Sequence, residues 1–249
     1  MNANTSGGTA KNNLFGQFLL GSCLAIGIAA AGYFISQTMV NAKIALNTAE
    51  AKGLAERRVQ ADRANWTISF TVTGNNKSEI PGLYQESEKQ KQIIIELLKQ
   101  NHFEQDEIKI GVLNYYKTEF RNDNQQLVDE RHQLTGSIDI ETDKVKMVSD
   151  VRAKINQLIA KGIDITNHEP SYRFTRLNEI KPDMLREATR NARIAANEFA
   201  ENAGVTVGGI RNARQGSFYV RDAGQDYGDT KSIQKDVRVV TNITFYLVD

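Results

Sequence analysis

Residues 63–100 read RANWTISFTVTGNNKSEIPGLYQESEKQKQIIIELLKQ, and two hydrophobic periods meet inside them. Trp66, Ile68, Phe70 and Val72 alternate with Thr67, Ser69 and Thr71, the period-two pattern of a half-buried strand running over about 63–73. Gly74-Asn75-Asn76 ends it. From Ile80 to Gln100 the spacing changes to that of a helix. Ile80, Leu83, Ser87, Ile94, Leu97 and Leu98 fall near one face, and Glu, Gln and Lys fill the rest. Ser78 is the expected N-cap. A strand feeding an amphipathic helix opens an α+β domain.

Downstream, Glu107–Phe120 returns to β, with Ile108, Ile110 and Val112 in alternation. Arg121–Gln126 is a turn rich in residues that tolerate left-handed backbone, and Leu127–Glu141 is its hairpin partner. Val145, Val148, Val151, Ile155, Leu158 and Ile159 predict a second helix, capped by Thr142 or Asp143 and stopped by Gly162. Ile163–Thr175 is a strand that Pro170 breaks or places at an edge. A third helix runs from about Pro182 to Ala203 and ends at Gly204, with a seam of Leu185, Ala188, Ala192, Ala195, Phe199 and Ala203. Strands over Val205–Val220 and Ser232–Val248 close the chain. The expected order is β-α-β-β-α-β-α-β-β, its first six elements fitting the ferredoxin-like split β-α-β pattern. A single α+β unit, a sheet covered by helices, is the simplest packing.

Upstream the chain changes character. No charged residue lies between Lys11 and Lys43. Leu14–Ile35 (LFGQFLLGSCLAIGIAAAGYFI) is mostly apolar, with Gln17, Ser22 and Cys23 as its uncharged polar members. At 1.5 Å per residue the run crosses a bilayer core of roughly 30 Å. Tyr33 sits where an amphipathic ring suits the interface. An uncleaved anchor is the favoured reading. A signal peptide cut near Ala29-Ala30-Ala31 is the alternative, and Leu20-Gly21-Ser22-Cys23 also has the form of a lipoprotein box. Gly21, Ala25 and Ala29 repeat every four residues, a spacing that lets two helices approach. Basic residues accumulate after the run (Lys43, Lys52, Arg57, Arg58), which by the positive-inside rule opposes export of the downstream domain. The divisions expected are a polar tail at 1–13, an anchor at 14–40, a connector at 41–51 and a domain at 52–249. Ile44–Lys52, Ala-rich, reads as a continuation of the anchor helix.

Composition limits the function classes. In the 249 residues, 31 Lys+Arg balance 30 Asp+Glu, so there is no basic excess for nucleic acid. From residue 44 on the chain holds every acidic residue and all basic ones except Lys11 and Lys43, and is near neutral. The 1 Cys excludes an intrachain disulfide and a cysteine zinc cluster.

No catalytic, cofactor-binding or metal-binding residue is assigned. His102, His132 and His168 have no partner at ligand spacing and read as surface or structural histidines. There is no Gly-x-Ser-x-Gly elbow, and Cys23 lies in the apolar run, where a thiolate is disfavoured. Gly204–Gly209 (GVTVGG) follows a helix instead of preceding one. That is the wrong order for a phosphate cradle and the right one for a C-cap and a bulge. Asp222, Asp226 and Asp229 lack the spacing of a calcium loop and read as a solvated acidic loop. Arg186, Arg190 and Arg193, near Glu187, read as a solvated helix face that could also meet a partner subunit.

Lys52-Gly53-Leu54-Ala55-Glu56-Arg57, leading through Ala61-Asp62 to Trp66, resembles the opening strand of the SIMPL-domain family. Phe174–Pro182 (FTRLNEIKP), Glu187–Arg193 (EATRNAR), Ala195-Ala196, Phe199-Ala200 and Ala203–Ile210 resemble its Ala-rich helix and following strand. Val237–Thr241 (VRVVT) is similar to the membrane-anchored bacterial branch. The resemblance covers roughly 48–249. It implies an exported α+β domain of the bacterial envelope, a link in some members to oxidative-stress defence, and ring- or channel-like oligomers in a periplasmic immunogenic member. It brings no catalytic motif.

The expectation is therefore a non-enzymatic protein of the bacterial inner membrane. It is held by residues 14–35, with one pass, a periplasmic C-terminal domain and self-association. No cofactor, nucleic acid or small-molecule ligand is assigned. The alternative is an enzyme or small-molecule binder whose site is assembled from separated residues. A cytoplasmic interaction module gains only from the charge bias.

Overall fold

The computed structural model describes residues 10–44 and 47–248. Residues 1–9 of the expected tail and 45–46 of the expected connector lie outside them. Helix α1, Ala10–Ile44, contains Phe15–Val40, 26 residues of mean hydropathy 2.0 and none of them buried. At 1.5 Å per residue that stretch is about 39 Å long, enough to cross a bilayer. Within it Tyr33 and Phe34 meet edge to face at 5.9 Å, and the Thr38 hydroxyl donates to the Phe34 carbonyl at 2.8 Å.

The chain then turns to strand earlier than its Ala content implies. β1, Thr48–Gln60, takes up the last four residues of the expected connector, and α1 takes up 41–44. Ala51, Gly53 and Ala55 are buried at every second position, with Lys52, Leu54 and Glu56 outward. Alanine serves a helix seam and a tightly covered strand equally, so the composition of 44–52 misleads. The other elements are β2 Arg63–Gly74, α2 Ile80–Gln100, β3 Ile108–Ile110, β4 Asn114–Arg121, β5 Leu127–Thr142, α3 Val145–Asn156, β6 Asp164–Asn167, β7 Ser171–Arg173, α4 Leu177–Ala203, β8 Thr206–Gln215, β9 Tyr219–Asp222 and β10 Gln234–Val248.

Three expected strands are each two. A register shift at Gly111–Leu113 separates β3 from β4: Ile110 pairs with Ile138, but Asn114 pairs with Thr135. The single extra residue exchanges the two faces. Val112, expected in the buried alternation, is 78% exposed. Pro170 divides β6 from β7, and Gly216–Phe218 divides β8 from β9. Caps differ too. Ser78 lies in a 3-10 turn, Lys77–Glu79, and Glu79 stands at the N-cap of α2. Lys144 is the N-cap of α3, and its N–H donates to the Thr142 hydroxyl at 3.0 Å. α4 begins five residues early and carries Pro182 inside it. Gly162 and Gly204 take the left-handed conformations expected of stops, φ 84° and 72°.

The residues fall into two compact units. The larger, Leu54–Ala188 with Gly216–Val240, contains a six-stranded antiparallel sheet in the order β3-β5-β2-β6, with β4 on β5 and β7 on β2. Trp66, Ile68 and Phe70 of β2 and Ile138 and Ile140 of β5 bury one face. That face packs with Ile94 and Leu98 of α2 and Val148, Val151 and Ile155 of α3. With broken strands counted once, this is the interleaved order of a split β-α-β unit. A second cluster there joins Met184 and Ala188 of α4 to Ala55, Val237 and Val239.

The smaller unit comprises the described residues of Met1–Gly53, Thr189–Gln215 and Thr241–Asp249. Here β10 pairs antiparallel with β8, from Thr241 opposite Gln215 to Val248 opposite Thr206. Ala192 and Ala196 pack with Ala51, Ile243 and Phe245. Register shifts fall between Thr244 and Phe245 and between Phe245 and Leu247, the latter opposite Gly208-Gly209. β10 lies between β1 and β8 in the strand order, and its pairing with β9, from Lys235 opposite Asp222 to Arg238 opposite Tyr219, belongs to the larger unit.

Candidate functional site

Three polar clefts and one projecting hairpin stand out in the larger unit. The first cleft, about 680 Å³, is lined by Asp62, Arg63, Asp143 and Arg176 among others. Both Asp62 oxygens are engaged. Oδ1 accepts the Thr175 N–H at 2.7 Å, while Oδ2 accepts the Thr175 hydroxyl at 2.9 Å and Arg176 Nε at 3.1 Å. Burial works against its charge, but these donors outweigh it and hold the carboxyl below its ordinary value. Asp62 thereby ties the end of the β1–β2 connection to the segment that starts α4.

The neighbouring cleft, about 490 Å³, is lined by Arg63, Lys109, Lys144 and five acidic residues. Its Glu107 follows the same logic. Burial opposes ionisation, and the Glu104 N–H, Lys144 Nζ and Thr142 hydroxyl overcome it. A third cleft, about 530 Å³, lies beside β9 and β10. Asp236 in its lining is held by Arg58 through two bonds of 2.8 and 3.0 Å, and Arg221 lies 5.5 Å from the Tyr219 ring centre. The Asp62, Glu107 and Asp236 carboxyls are each held below their ordinary values. A general acid working near neutrality needs the opposite shift.

The acidic loop differs from its expectation. Asp222 is buried, not solvated. It accepts the Lys231 and Ser232 N–H groups and, at 2.5 Å, Lys235 Nζ. Asp229 contributes its carbonyl to Lys235, and Asp226 lines the third cleft. Among the described residues no group of three or more His, Cys, Asp or Glu is placed to hold a metal ion. The histidines separate. The His102 carbonyl accepts Lys144 Nζ. His168 Nε2 is 3.1 Å from Ser69 Oγ on the solvent-facing side of β2. His132 is 1% exposed and lies between Tyr115 OH, 2.7 Å from Nδ1, and Glu130 Oε1, 3.0 Å from Nε2. Cys23 lies exposed within α1. Of the helix arginines, Arg186 pairs with Asp183 and Arg190 is exposed. Arg193 is exposed too, and it also lies 5.1 Å from the Phe245 ring centre and donates to the Gly208 carbonyl.

Sequence reasoning places the β4–β5 hairpin but misses that it is exposed on both faces. Every residue of β4 is exposed, as are most of Leu127–Arg131. Tyr116 and Phe120 share one face, where Arg131 lies 5.8 Å from the Phe120 ring centre. On the other face Lys117 bridges Glu119 at 2.9 Å and Glu130 at 3.0 Å, and Arg121 reaches Glu119 at 2.6 Å. Hydrogen bonds from Lys117 and Arg121 pull the Glu119 carboxyl down to about 2. Among the described residues no strand pairs with the outer edge of β4. The warning in the sequence is NYYKTEFR itself: two adjacent tyrosines and no apolar alternation that would bury one face.

The molecule is thus an α+β protein with an N-terminal helix long and apolar enough to span a membrane. The chain belongs to the SIMPL family, whose model, described as a protein of unknown function (DUF541), matches residues 50–245. No curated protein matches it.

Proposed function

We propose that this chain is a single-pass protein of the bacterial inner membrane, anchored by α1, with its SIMPL domain in the periplasm. The domain self-associates and carries out no reaction of its own. One observation supports the reading above others: a SIMPL domain shares its chain with a 26-residue apolar helical stretch that has no buried side chain. Anchoring concentrates domains in two dimensions, so weak contacts between them suffice for assembly. The basic residues after the apolar stretch oppose export, but only Lys43 lies close to it, and the family resemblance outweighs that bias. A role in oxidative-stress defence belongs to the same reading and is tested by survival of a deletion strain under peroxide.

Protease added to intact spheroplasts tests orientation. Digestion of a C-terminal epitope is expected, and full protection contradicts periplasmic placement. Light scattering on the full chain in detergent tests assembly. A defined oligomer is expected. A monomer at every concentration removes self-association and favours a ligand in the polar clefts.

A further inference from the structure

We infer that the β4 edge pairs antiparallel with β4 of a second copy, about a twofold axis passing through Thr118. This rests on the self-association proposed above and names the surface that carries it.

A two-stranded arm exposed on both faces is marginal alone in water. An open strand edge is a template for another strand, and proteins guard such edges with charge, lysine above all. β4 carries Lys117 and Arg121, which would normally serve as that guard. Their spacing gives a different result when the strand meets itself. A twofold axis normal to the sheet keeps each face on its own side, so residues on one face oppose residues of that same face.

With Thr118 on the axis, Tyr116 faces Phe120 of the second copy, and Lys117 faces its Glu119. Each pair occurs twice by symmetry, with a threonine pair at the centre. Aromatic, opposite-charge and Thr–Thr pairs are the favourable cross-strand combinations. Tyr116 and Phe120 are 55% and 43% exposed, so both have surface left to bury. The neighbouring allowed registers are penalised. Centred on Lys117, that residue opposes its own copy. Centred on Glu119, Glu119 opposes its own copy and Lys117 opposes Arg121. The sequence NYYKTEFR is self-complementary in one register, and the charges exclude the adjacent two.

The test uses the full chain in membranes, with Cys23→Ser as background. Thr118→Cys places two thiols across an antiparallel pair, where Cα atoms about 4.5–5.5 Å apart suit a disulfide. A disulfide dimer is expected at Thr118→Cys and not at exposed Phe199→Cys. Lys117→Glu and Glu119→Lys each place like charges opposite one another and are expected to weaken dimers about tenfold. Mixing the two variants restores opposite charge at both pairs and is expected to restore dimers. Oligomers that persist with no Thr118→Cys disulfide and no response to either charge reversal overturn this interface while leaving self-association intact. Monomers throughout overturn both.

Discussion

Lys235 Nζ lies 2.5 Å from Asp222 Oδ1, and both side chains are buried. The contact closes a loop, because Asp222 also accepts the N–H groups of Lys231 and Ser232 while Lys235 donates to the Asp229 carbonyl. Removing one partner strands the other charge away from water. Asp222→Ala is expected to lower the stability of the larger unit by about 3–5 kcal/mol. Asp222→Ala combined with Lys235→Met should cost less than Asp222→Ala alone. Denaturant midpoints measure both. A double variant as unstable as the single one would show that the hydrogen bonds to the loop backbone, not the stranded ammonium, dominate.

The same pair predicts a pH response. Burial raises the Asp222 carboxyl, but Lys235 and the two N–H groups lower it further, to a net value below its ordinary 3.8. A depressed carboxylate contributes fully above its unfolded value, and the contribution is lost as pH falls through the lower folded value. Amide exchange in 222–234 should therefore be pH-independent, after correction for intrinsic rates, until the pH drops below 3.8. Loop opening that begins near neutral pH would contradict this assignment.

Gly136 lies opposite Phe70 in the β2–β5 pairing, and a Cβ added there would run into the ring. Gly136→Ala is expected to destabilise the larger unit by about 1–3 kcal/mol through overpacking. Phe70→Leu with Gly136→Ala should recover part of that loss, because the ring edge is what the methyl meets. Thermal unfolding of the three variants decides it, and an unchanged transition in Gly136→Ala would mean the sheet moves to accept the methyl.

Near the middle of the apolar stretch of α1, Ile28 is exposed along with its neighbours. An arginine at a membrane midpoint costs about 2.5–3.5 kcal/mol, whereas one near the end can reach the headgroups. Ile28→Arg should move a large share of the chain into the carbonate-extractable fraction, and Thr38→Arg should not. Equal extraction of the two variants would place the membrane elsewhere.

Strong periodicity explains which elements are legible in the sequence. Trp66, Ile68, Phe70 and Val72 are all buried on β2, and Val148, Val151 and Ile155 on α3, because those seams use large side chains on one period. Alanine carries no such contrast, so the start of β1 reads as helix although Ala51 and Ala55 are buried at strand spacing. Register shifts are silent as well. Nothing in Ile108-Lys109-Ile110-Gly111-Val112 announces that the face exchanges before β4. Of the polar sites, Asp222 is visible as a residue but not as a partner of Lys235, thirteen positions away. The exposed arm is legible only as a hairpin turn, since exposure of both faces depends on the absence of a packing neighbour.

The seam of α4 tests alanine packing most directly. Sequence spacing places Phe199 on it, yet Phe199 is 63% exposed, while Ala192, Ala196 and Ala200 are buried four residues apart. The sheet approaches a row of methyl groups, with Ala196 against Ile243 and Phe245 in the smaller unit. Ala196→Leu should therefore be destabilising, by about 1–3 kcal/mol, because the added carbons have no space. Phe199→Ala should change stability by no more than about 0.5 kcal/mol, as at other exposed positions. Hydrophobic bookkeeping by residue type predicts the reverse ranking, so unfolding curves for this pair separate the two accounts. A costly Phe199→Ala would return that ring to the interface that the spacing assigns to it.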